Sequence, residues 1–436
     1  MKNITFIFCI FIAVWGCSPK EKNLVEKLHE IPGLEIVKTD TLENDQLAFD
    51  LLLEQPLDHE EPNGVKFKQR LYLVHHEPNA PMVLSTCGYR LYKSSGRDIV
   101  DLVDGNQLNV EYRYYGESFP DSIDYDFLTN DLAIEDYHRI RQLFGKIYGG
   151  KWLATGISKG GETTLIYKTR YPNDVDLSIP VVAPIIQGRP DRRTDHFLDT
   201  VGTEECREKL ISFQRRILEN RDSIIPFVEA YAKKYETSFP VDGPGAALEY
   251  SVLEYTFSFW QWGWDCDSLP GPYASYEELY KHLTDVSTLW VYTQKGIEGG
   301  ASSTIQHQRE LGYYSFVTKN VQDLLKDITA EDPAMTQFSP AGVEINYNPE
   351  YMKQVLDWLK ANGNDILYIY GGSDTWSACA VEPGSNTNAL RMIKVNGPHS
   401  TRIKHFSKEE KEKIYRYMEE RLDVKISREE KGKASS

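Results

Sequence analysis

One short segment carries the residue types of an activated serine. Gly156-Ile157-Ser158-Lys159-Gly160 fits the pattern G-x-S-x-G, in which the serine occupies a strained turn between a strand and a helix. Glycine stands on either side because the backbones crowd there and leave no room for side chains. An apolar strand is predicted to end at Thr155 and a helix to begin just after Ser158, so the context agrees with the pattern. Ser158 is therefore the candidate nucleophile.

A serine hydroxyl needs a base, and a histidine base needs a carboxylate to orient it. In enzymes with this turn the acid and then the histidine follow the serine along the chain, on loops after later strands. Asp374 follows a predicted strand at 366–370, and His399 follows a predicted strand at 392–395. His405 also comes after Asp374, but it lies where the chain approaches its last helix, so His399 is the favoured base.

Backbone donors for a developing oxyanion belong to the same pattern. One is the N–H of Lys159, directly after the nucleophile. The second is expected in the loop after the predicted strand at 82–86, where Gly88 or Tyr89 would present its N–H. These residues predict acyl transfer through a covalent serine intermediate, which requires no metal and no organic cofactor.

The elements that must position these residues occur in two separate stretches of the chain. Before residue 189, strand and helix patterns alternate, with predicted strands at 47–53, 66–75, 82–86, 108–112, 152–155 and 177–183 and helices over 131–148 and 159–170. The alternation resumes at Pro349 and ends in a helix over 408–422. Residues 189–345 instead carry long helical patterns and an aromatic cluster at 257–264. The pattern predicts an α/β domain built from 47–188 and 346–425, with a helical cap domain at 189–345 inserted into it.

The two ends of the chain differ from this domain. Residues 1–17 combine Lys2, an apolar run too short to span a bilayer, and a Gly16-Cys17 ending that resembles a bacterial lipobox. They are predicted to be a lipoprotein signal peptide, with Cys17 lipidated and the protein exported and held at a membrane, in the periplasm or on the cell surface. Ordinary secretion with Cys17 unmodified is the alternative. Residues 18–46 are predicted to be a tether leading to a first packed element, and 426–436 a polar tail.

Composition excludes several classes of function. The net charge of −16 argues against a nucleic-acid partner, because phosphate binding needs clustered Lys and Arg. Apart from Cys9 and Cys17, the cysteines lack the close pairs of a structural zinc site, and they permit three disulfide pairings among which sequence does not choose: Cys87, Cys206, Cys266 and Cys379.

Several motifs together resemble one group of serine peptidases. Gln55-Pro56-Leu57-Asp58-His59, Phe67-Lys68-Gln69-Arg70 and Glu111-Tyr112-Arg113-Tyr114-Tyr115-Gly116-Glu117-Ser118 are similar to motifs of the lysosomal prolyl carboxypeptidase type. Ser158-Lys159-Gly160-Gly161 and Pro398-His399-Ser400 are closer to its bacterial relatives, the secreted prolyl tri- and tetrapeptidyl aminopeptidases. Asp374-Thr375-Trp376-Ser377 resembles the acid loop of both. The similarity covers roughly 49–188 and 349–405 and only weakly the cap.

The resemblance implies an α/β-hydrolase fold with a helical cap, and a serine exopeptidase that removes short N-terminal peptides, often after proline. In the cap, Trp260, Trp262 and Trp264 would form a wall against a proline ring or would simply be cap core. Glu204 and Glu205 would hold the free amino terminus of a peptide, or would form a solvated helix face.

Two other functions stay open at this point. The first is an ester hydrolase with the same three residues but a different pocket. The second is a non-catalytic binding lipoprotein on a hydrolase scaffold. Ile157, Glu162 and Thr375 differ from the residues usual in the family, and the first two adjoin Ser158, so they bear on substrate choice.

Overall fold

The computed structural model describes residues 23–43, 45–329, 335–426 and 428. The predicted signal peptide with Cys17 lies outside the described residues, as does most of the predicted polar tail. Within the part that is described, no helix is long and apolar enough to cross a membrane.

A mixed sheet of nine strands, counted over the described residues, runs through the molecule in the order β1-β2-β3-β5-β4-β6-β7-β8-β9. The strands are β1 (Leu34–Thr41), β2 (Leu47–Pro56), β3 (Lys66–His75), β4 (Met82–Thr86), β5 (Asn106–Val110), β6 (Trp152–Ile157), β7 (Leu177–Val181), β8 (Leu367–Gly371) and β9 (Leu390–Lys394). Pairing is antiparallel from β1 to β5 and parallel from β5 to β9. Strands β4, β5, β7 and β8 are buried along their whole length, as expected of parallel strands covered on both faces.

Helices cover both faces of this sheet and form a separate layer above it. They are α1 (Leu24–His29), α2 (Arg97–Val103), α3 (Asn130–Phe144), α4 (Lys159–Arg170), α5 (Arg193–Thr200), α6 (Glu204–Glu219), α7 (Arg221–Lys234), α8 (Gly243–Trp262), α9 (Tyr276–Val286), α10 (Gln294–Gly299), α11 (Ala301–Gln306), α12 (Pro349–Asn362) and α13 (Lys408–Leu422). On one face α3, α4 and α12 share an apolar core with the sheet, and on the other α2 and α13 do so. This strand order, with a tight strand–helix turn between β6 and α4, is the α/β-hydrolase fold, as predicted.

The segment between β7 and β8 has an apolar core of its own. Side chains of α6, α7, α8 and α9 build that core, and α8 is apolar around most of its circumference, as expected of a central helix. A disulfide joins Cys206 at the start of α6 to Cys266 just after α8, with 5.7 Å between the two α-carbons. Cys87 and Cys379 are free, so the structure selects one pairing among those that sequence left open.

One prediction needs correction at the N-terminal end. Within the range predicted as a tether, Leu24–His29 form helix α1 and Leu34–Thr41 form the edge strand β1. The helix starts at a capping box between Asn23 and Glu26. The strand was not recognised because most of its side chains are exposed, so an apolar alternation hardly develops along it. The first packed element therefore begins at Leu24.

Candidate active site

The candidate nucleophile lies in a strained turn. Ser158 has φ 56° and ψ −126°, between the end of β6 and the start of α4. A Cβ atom at Gly156 would lie 2.2 Å from the carbonyl oxygen of Gly160, and one at Gly160 would lie 2.5 Å from the carbonyl oxygen of Thr86. The two glycines of G-x-S-x-G are thus required sterically, and the turn presents Ser158 at the carboxyl end of the parallel sheet.

The candidate base and acid meet on the loops that follow β9 and β8. The Nδ1 atom of His399 donates to Oδ2 of Asp374 at 2.7 Å, and both side chains are buried. The other carboxylate oxygen, Oδ1, accepts from the N–H of Trp376 at 3.1 Å. His405 is exposed and accepts from the N–H of Arg402, so the structure brings His399 to Asp374 and leaves His405 aside. With Nδ1 protonated, Nε2 of His399 is left as the basic nitrogen.

The C-terminal half of α8, in the cap, packs against both loops. The N–H of His399 donates to the carbonyl of Gln261 at 2.8 Å, and the Trp262 indole meets the imidazole edge-on at 5.7 Å between ring centroids. The Thr375 hydroxyl donates to the carbonyl of Phe257 at 3.0 Å. The cap therefore contacts the backbone of His399 and the loop that carries Asp374. These contacts join residues far apart in the sequence, so no local motif predicts them.

Two cavities lie next to these loops and share part of their walls. The smaller, of about 190 Å³, is lined by Ser158, Lys159 and Tyr89 from the sheet domain and by Gln261 and Glu254 from the cap. The larger, of about 560 Å³, is lined by Trp262 and Trp264 among others. Three residues line both cavities: Glu254, Tyr313 and Tyr314. The two cavities are therefore neighbours, with Glu254 in the wall of each.

Two residues with candidate backbone donors, Lys159 and Tyr89, line the smaller cavity. Lys159 is the first residue of α4, so its N–H has no partner within the helix. The Nζ atom of Lys159 donates to the carbonyl of Gly88 at 2.6 Å. Because the C=O and N–H of a trans peptide point in opposite directions, this bond directs the N–H of Tyr89 away from Lys159 Nζ. Tyr89 lines the Ser158 cavity, so of the two predicted second donors the structure favours Tyr89 over Gly88.

Buried charges surround the nucleophile turn. Burial lowers the pKa of Lys159 to about 7, against the opposing effect of Glu162 and Glu310. Burial raises the pKa of Glu162 to about 8, and the nearby Lys159 ammonium lowers it only in part. The ammonium lies 3.7 Å from the ring centroid of Tyr112, so an aromatic face replaces part of its lost hydration. Glu162, one of the departures from the family pattern, thus lies in the wall of the Ser158 cavity.

Of the predicted substrate-binding residues, the structure brings some to the cavities and not others. Glu204 and Glu205 are exposed in the first turn of α6, where Glu205 pairs with Lys209 at 2.8 Å. Neither lines the two cavities; their charges instead lie at the positive end of the helix dipole. Trp260 is buried in the cap core against Gly202, whereas Trp262 and Trp264 line the larger cavity.

One acidic residue of the cap lines both cavities: Glu254, which sequence reasoning passed over. It lies on α8 between Tyr250 and Ser258, in a stretch that is otherwise almost wholly apolar. A lone carboxylate in such a stretch is the signal that would have marked it, because an unpaired acid is rarely placed in an apolar core.

The chain is similar to known proteins along most of its length. The family model of the PS-10 peptidase S37 family matches residues 17–408. The prolyl tri/tetrapeptidyl aminopeptidase of Streptomyces mobaraensis is 31% identical over 401 residues, which cover 90% of this chain and 83% of that protein. Among solved structures, the proline iminopeptidase of Mycobacterium smegmatis superposes with a TM-score of 0.38 at 14% identity, covering 84% of this chain and 96% of its own. An α/β fold family hydrolase of Bacillus anthracis str. Sterne superposes with a TM-score of 0.36 at 14% identity, covering 86% and 99% respectively.

Proposed function

The chain belongs to the PS-10 peptidase S37 family and is a serine peptidase, and from that premise we propose that it removes short peptides from the N-terminus of oligopeptides. The released pieces are di-, tri- or tetrapeptides, and the cut often follows proline. The 31% identical relative, named for prolyl tri- and tetrapeptidyl release, supports both parts of this proposal.

The proposed mechanism uses Ser158, His399 and Asp374. Nε2 of His399 takes the proton of the Ser158 hydroxyl while Oγ attacks the scissile carbonyl, and the N–H groups of Lys159 and Tyr89 stabilise the oxyanion. The imidazolium then gives that proton to the leaving amine, and an acyl-enzyme remains. Water attacks the ester with His399 again as base, which releases the peptide and restores the serine. Asp374 keeps Nδ1 protonated and the ring oriented throughout.

One observation carries the proposal: the buried 2.7 Å bond between His399 Nδ1 and Asp374 Oδ2, at the same edge of the sheet as the strained Ser158 turn. For the proline preference, the support is the wall of the Ser158 cavity. Flat aromatic and apolar surfaces there suit a proline ring: Tyr89, Pro184, Tyr313 and Trp376.

The experiment uses the purified protein with a fluorophosphonate probe, followed by peptide mapping. We expect label on Ser158, and none in Ser158→Ala. A separate, unlabelled portion of the same preparation is tested on p-nitroanilides of Ala-Pro, Ala-Ala-Pro and Ala-Ala-Ala-Pro and on p-nitrophenyl esters. Release from the anilides supports the peptidase, whereas turnover of esters alone would favour the ester hydrolase. Absence of label on folded protein would overturn the mechanism.

We also propose that the protein is exported and anchored through a lipid on Cys17, outside the described residues. The apolar run before Gly16-Cys17 supports this. Metabolic labelling of cells with an alkynyl fatty acid tests it. Wild type should carry the label and Cys17→Ser should not, and an unlabelled wild type in the culture medium would indicate ordinary secretion.

A further inference from the structure

Glu254 is a carboxylate placed between the two cavities. On α8 it faces the smaller cavity together with Ser158 and the larger cavity together with Trp262. Its Oε1 atom accepts from the hydroxyl of Ser258 at 2.6 Å, and its Oε2 atom accepts from the hydroxyl of Tyr314. Both partners are neutral donors, so the two bonds hold the carboxylate in place without neutralising it.

The surroundings of Glu254 favour a cationic ligand. Among the residues that the structure describes, no Lys, Arg or His forms an ion pair with it, and burial raises its pKa to about 7. Glu249, five residues earlier on the same helix, differs in having a cationic partner. It lies 3.2 Å from Arg221 and accepts from the backbone N–H groups of residues 326–328. Glu254 is only partly buried, but a carboxylate drawn out of water without such a partner still costs free energy, which a bound cation would offset.

We propose that Glu254 binds the α-ammonium group of the peptide substrate and so makes the enzyme select free N-termini. This inference rests on the proposed function and adds a named residue to it. The Ser258 and Tyr314 hydroxyls orient the carboxylate, and the ammonium supplies the opposite charge that the empty site lacks. A peptide whose amino group is acylated presents neither the charge nor the donors, and it leaves Glu254 unpaired.

The position of Glu254 along α8 would determine how many residues of a peptide fit between its amino group and the scissile bond. Gln261, whose carbonyl accepts from His399, lies seven residues further along this helix, which corresponds to about 10 Å at 1.5 Å per residue. Helical side chains lean toward the N-terminus, so the carboxylate lies a few ångströms further away still. An extended peptide advances about 3.3 Å per residue, so roughly three or four residues fit between the ammonium and the scissile bond.

A second carboxylate in the smaller cavity, Glu162, is the rival for this role. Its Oε1 atom has no hydrogen-bond partner in the described structure. However, Glu162 lies one helical turn after Ser158, about 6 Å along the axis, which leaves room for little more than one residue. The buried Lys159 already lowers its pKa electrostatically. Glu254 is therefore the better partner for the amino end of a peptide of several residues.

The test compares Ala-Ala-Pro-p-nitroanilide with its N-acetylated form on wild type and on Glu254→Gln. We expect wild type to prefer the free peptide, and the variant to lose about 10- to 100-fold in kcat/KM on it, the value of a charge-assisted hydrogen bond. On the acetylated peptide the variant should equal wild type. The matched control is Asp357→Asn, because Asp357 is likewise a carboxylate on a helix, but it pairs with Lys353 on α12 and lines neither cavity. It should leave both rates near those of wild type.

The outcomes separate this inference from the proposed function. If wild type cleaves no peptide anilide, the proposed function fails; if it cleaves free and acetylated peptides equally well, only the ammonium site fails. Equal losses on both substrates in Glu254→Gln, or the selective loss in Glu162→Gln instead, also overturn the assignment. Fluorophosphonate labelling and thermal unfolding report whether Glu254→Gln folds. Should it not, Glu254→Asp, which keeps the charge, must retain the preference for the free peptide.

Discussion

The side chain of Lys159 offers a sharp test of how the oxyanion site is built. Its Nζ atom donates to the Gly88 carbonyl at 2.6 Å from a buried position beneath the Tyr112 ring. Replacing Lys159 by Met keeps an unbranched side chain that is shorter by one atom, the nitrogen, and keeps the backbone N–H that follows Ser158. It removes the only atom of this residue that holds the Gly88–Tyr89 peptide in orientation.

The expected loss follows from what that peptide would do. Removing one oxyanion donor outright costs about 2.7–4 kcal/mol, or 10²- to 10³-fold in kcat. In Lys159→Met the N–H of Tyr89 is still present but is less well aimed and less polarised. We therefore expect a loss of about 10- to 100-fold, or about 1.4–2.7 kcal/mol, at 1.36 kcal/mol per tenfold. The loss should fall on kcat with KM nearly unchanged, because the donor acts on charge that develops only in the transition state.

Lys168 provides a matched control on the same helix. It is also buried, its pKa is also lowered by burial, and its Nζ atom donates to the carbonyl of Pro172 at 2.7 Å, at the far end of α4. Lys168→Met therefore repeats the loss of a buried ammonium and its carbonyl bond without touching the site. Steady-state kinetics on Ala-Ala-Pro-p-nitroanilide, with thermal unfolding of both variants, make the comparison. Equal kcat losses in the two variants, or a rise in KM alone in Lys159→Met, would refute the reasoning.

Three further predictions concern the acid, the disulfide and the cap carboxylate. Asp374→Asn should lower kcat by about 10⁴-fold on the same anilide, because an amide no longer favours the required tautomer of His399; a loss below tenfold would contradict the assignment. Cys206→Ser removes a disulfide that spans 60 residues and should lower the free energy of unfolding in denaturant by about 4 kcal/mol, with no further loss on adding reductant; the free-cysteine control Cys87→Ser keeps the disulfide, so its stability should match wild type and fall with reductant as wild type does. Burial raises the pKa of Glu254 in the folded protein to about 7, above the ordinary value of 4.5, so the folded protein binds more protons between these two pH values. The contribution of Glu254 to the free energy of unfolding is full below pH 4.5 and is lost as pH rises through 7, with a slope of up to about 1.4 kcal/mol per pH unit. Urea unfolding measured from pH 5 to 7.5 should therefore show a free energy that depends less on pH in Glu254→Gln than in wild type. An unchanged pH dependence would count against the raised pKa.

Sequence predicted most of the sheet domain because its signals are local. The strands are short apolar runs bounded by turns, and β4 was predicted with the bounds that the structure has. Ser158, Asp374 and His399 each lie in a loop or turn that follows such a run, so their placement at one edge of the sheet follows from the parallel pairing of β6 to β9. Strand β1 was missed since an edge strand with exposed side chains carries little periodic signal.

The cap was harder to interpret for a different physical reason. Helix α8 is apolar on nearly every side, so periodicity does not tell which of its side chains faces a cavity and which faces the cap core. Trp260 and Trp262 are two residues apart, yet one is buried against Gly202 and the other lies at the imidazole of His399. A pair of acidic residues such as Glu204 and Glu205 can be mistaken in a sequence for a ligand-binding pair. Their position at the start of a helix is accounted for by favourable interaction with the helix dipole.

Helix α8 contacts both the proposed peptide-binding site and the loops that carry His399 and Asp374. It holds the backbone of His399 through the Gln261 carbonyl and the acid loop through the bond from Thr375 to Phe257, and the same helix carries Glu254. The distance from the proposed ammonium site to the base is therefore set within one rigid element. Because the base is held by Gln261 on the helix that carries Glu254, the length of the released peptide should withstand substitutions elsewhere in the cap that leave α8 in place. It should change when residues are inserted or deleted between Glu254 and Gln261, since each residue alters the spacing by about 1.5 Å.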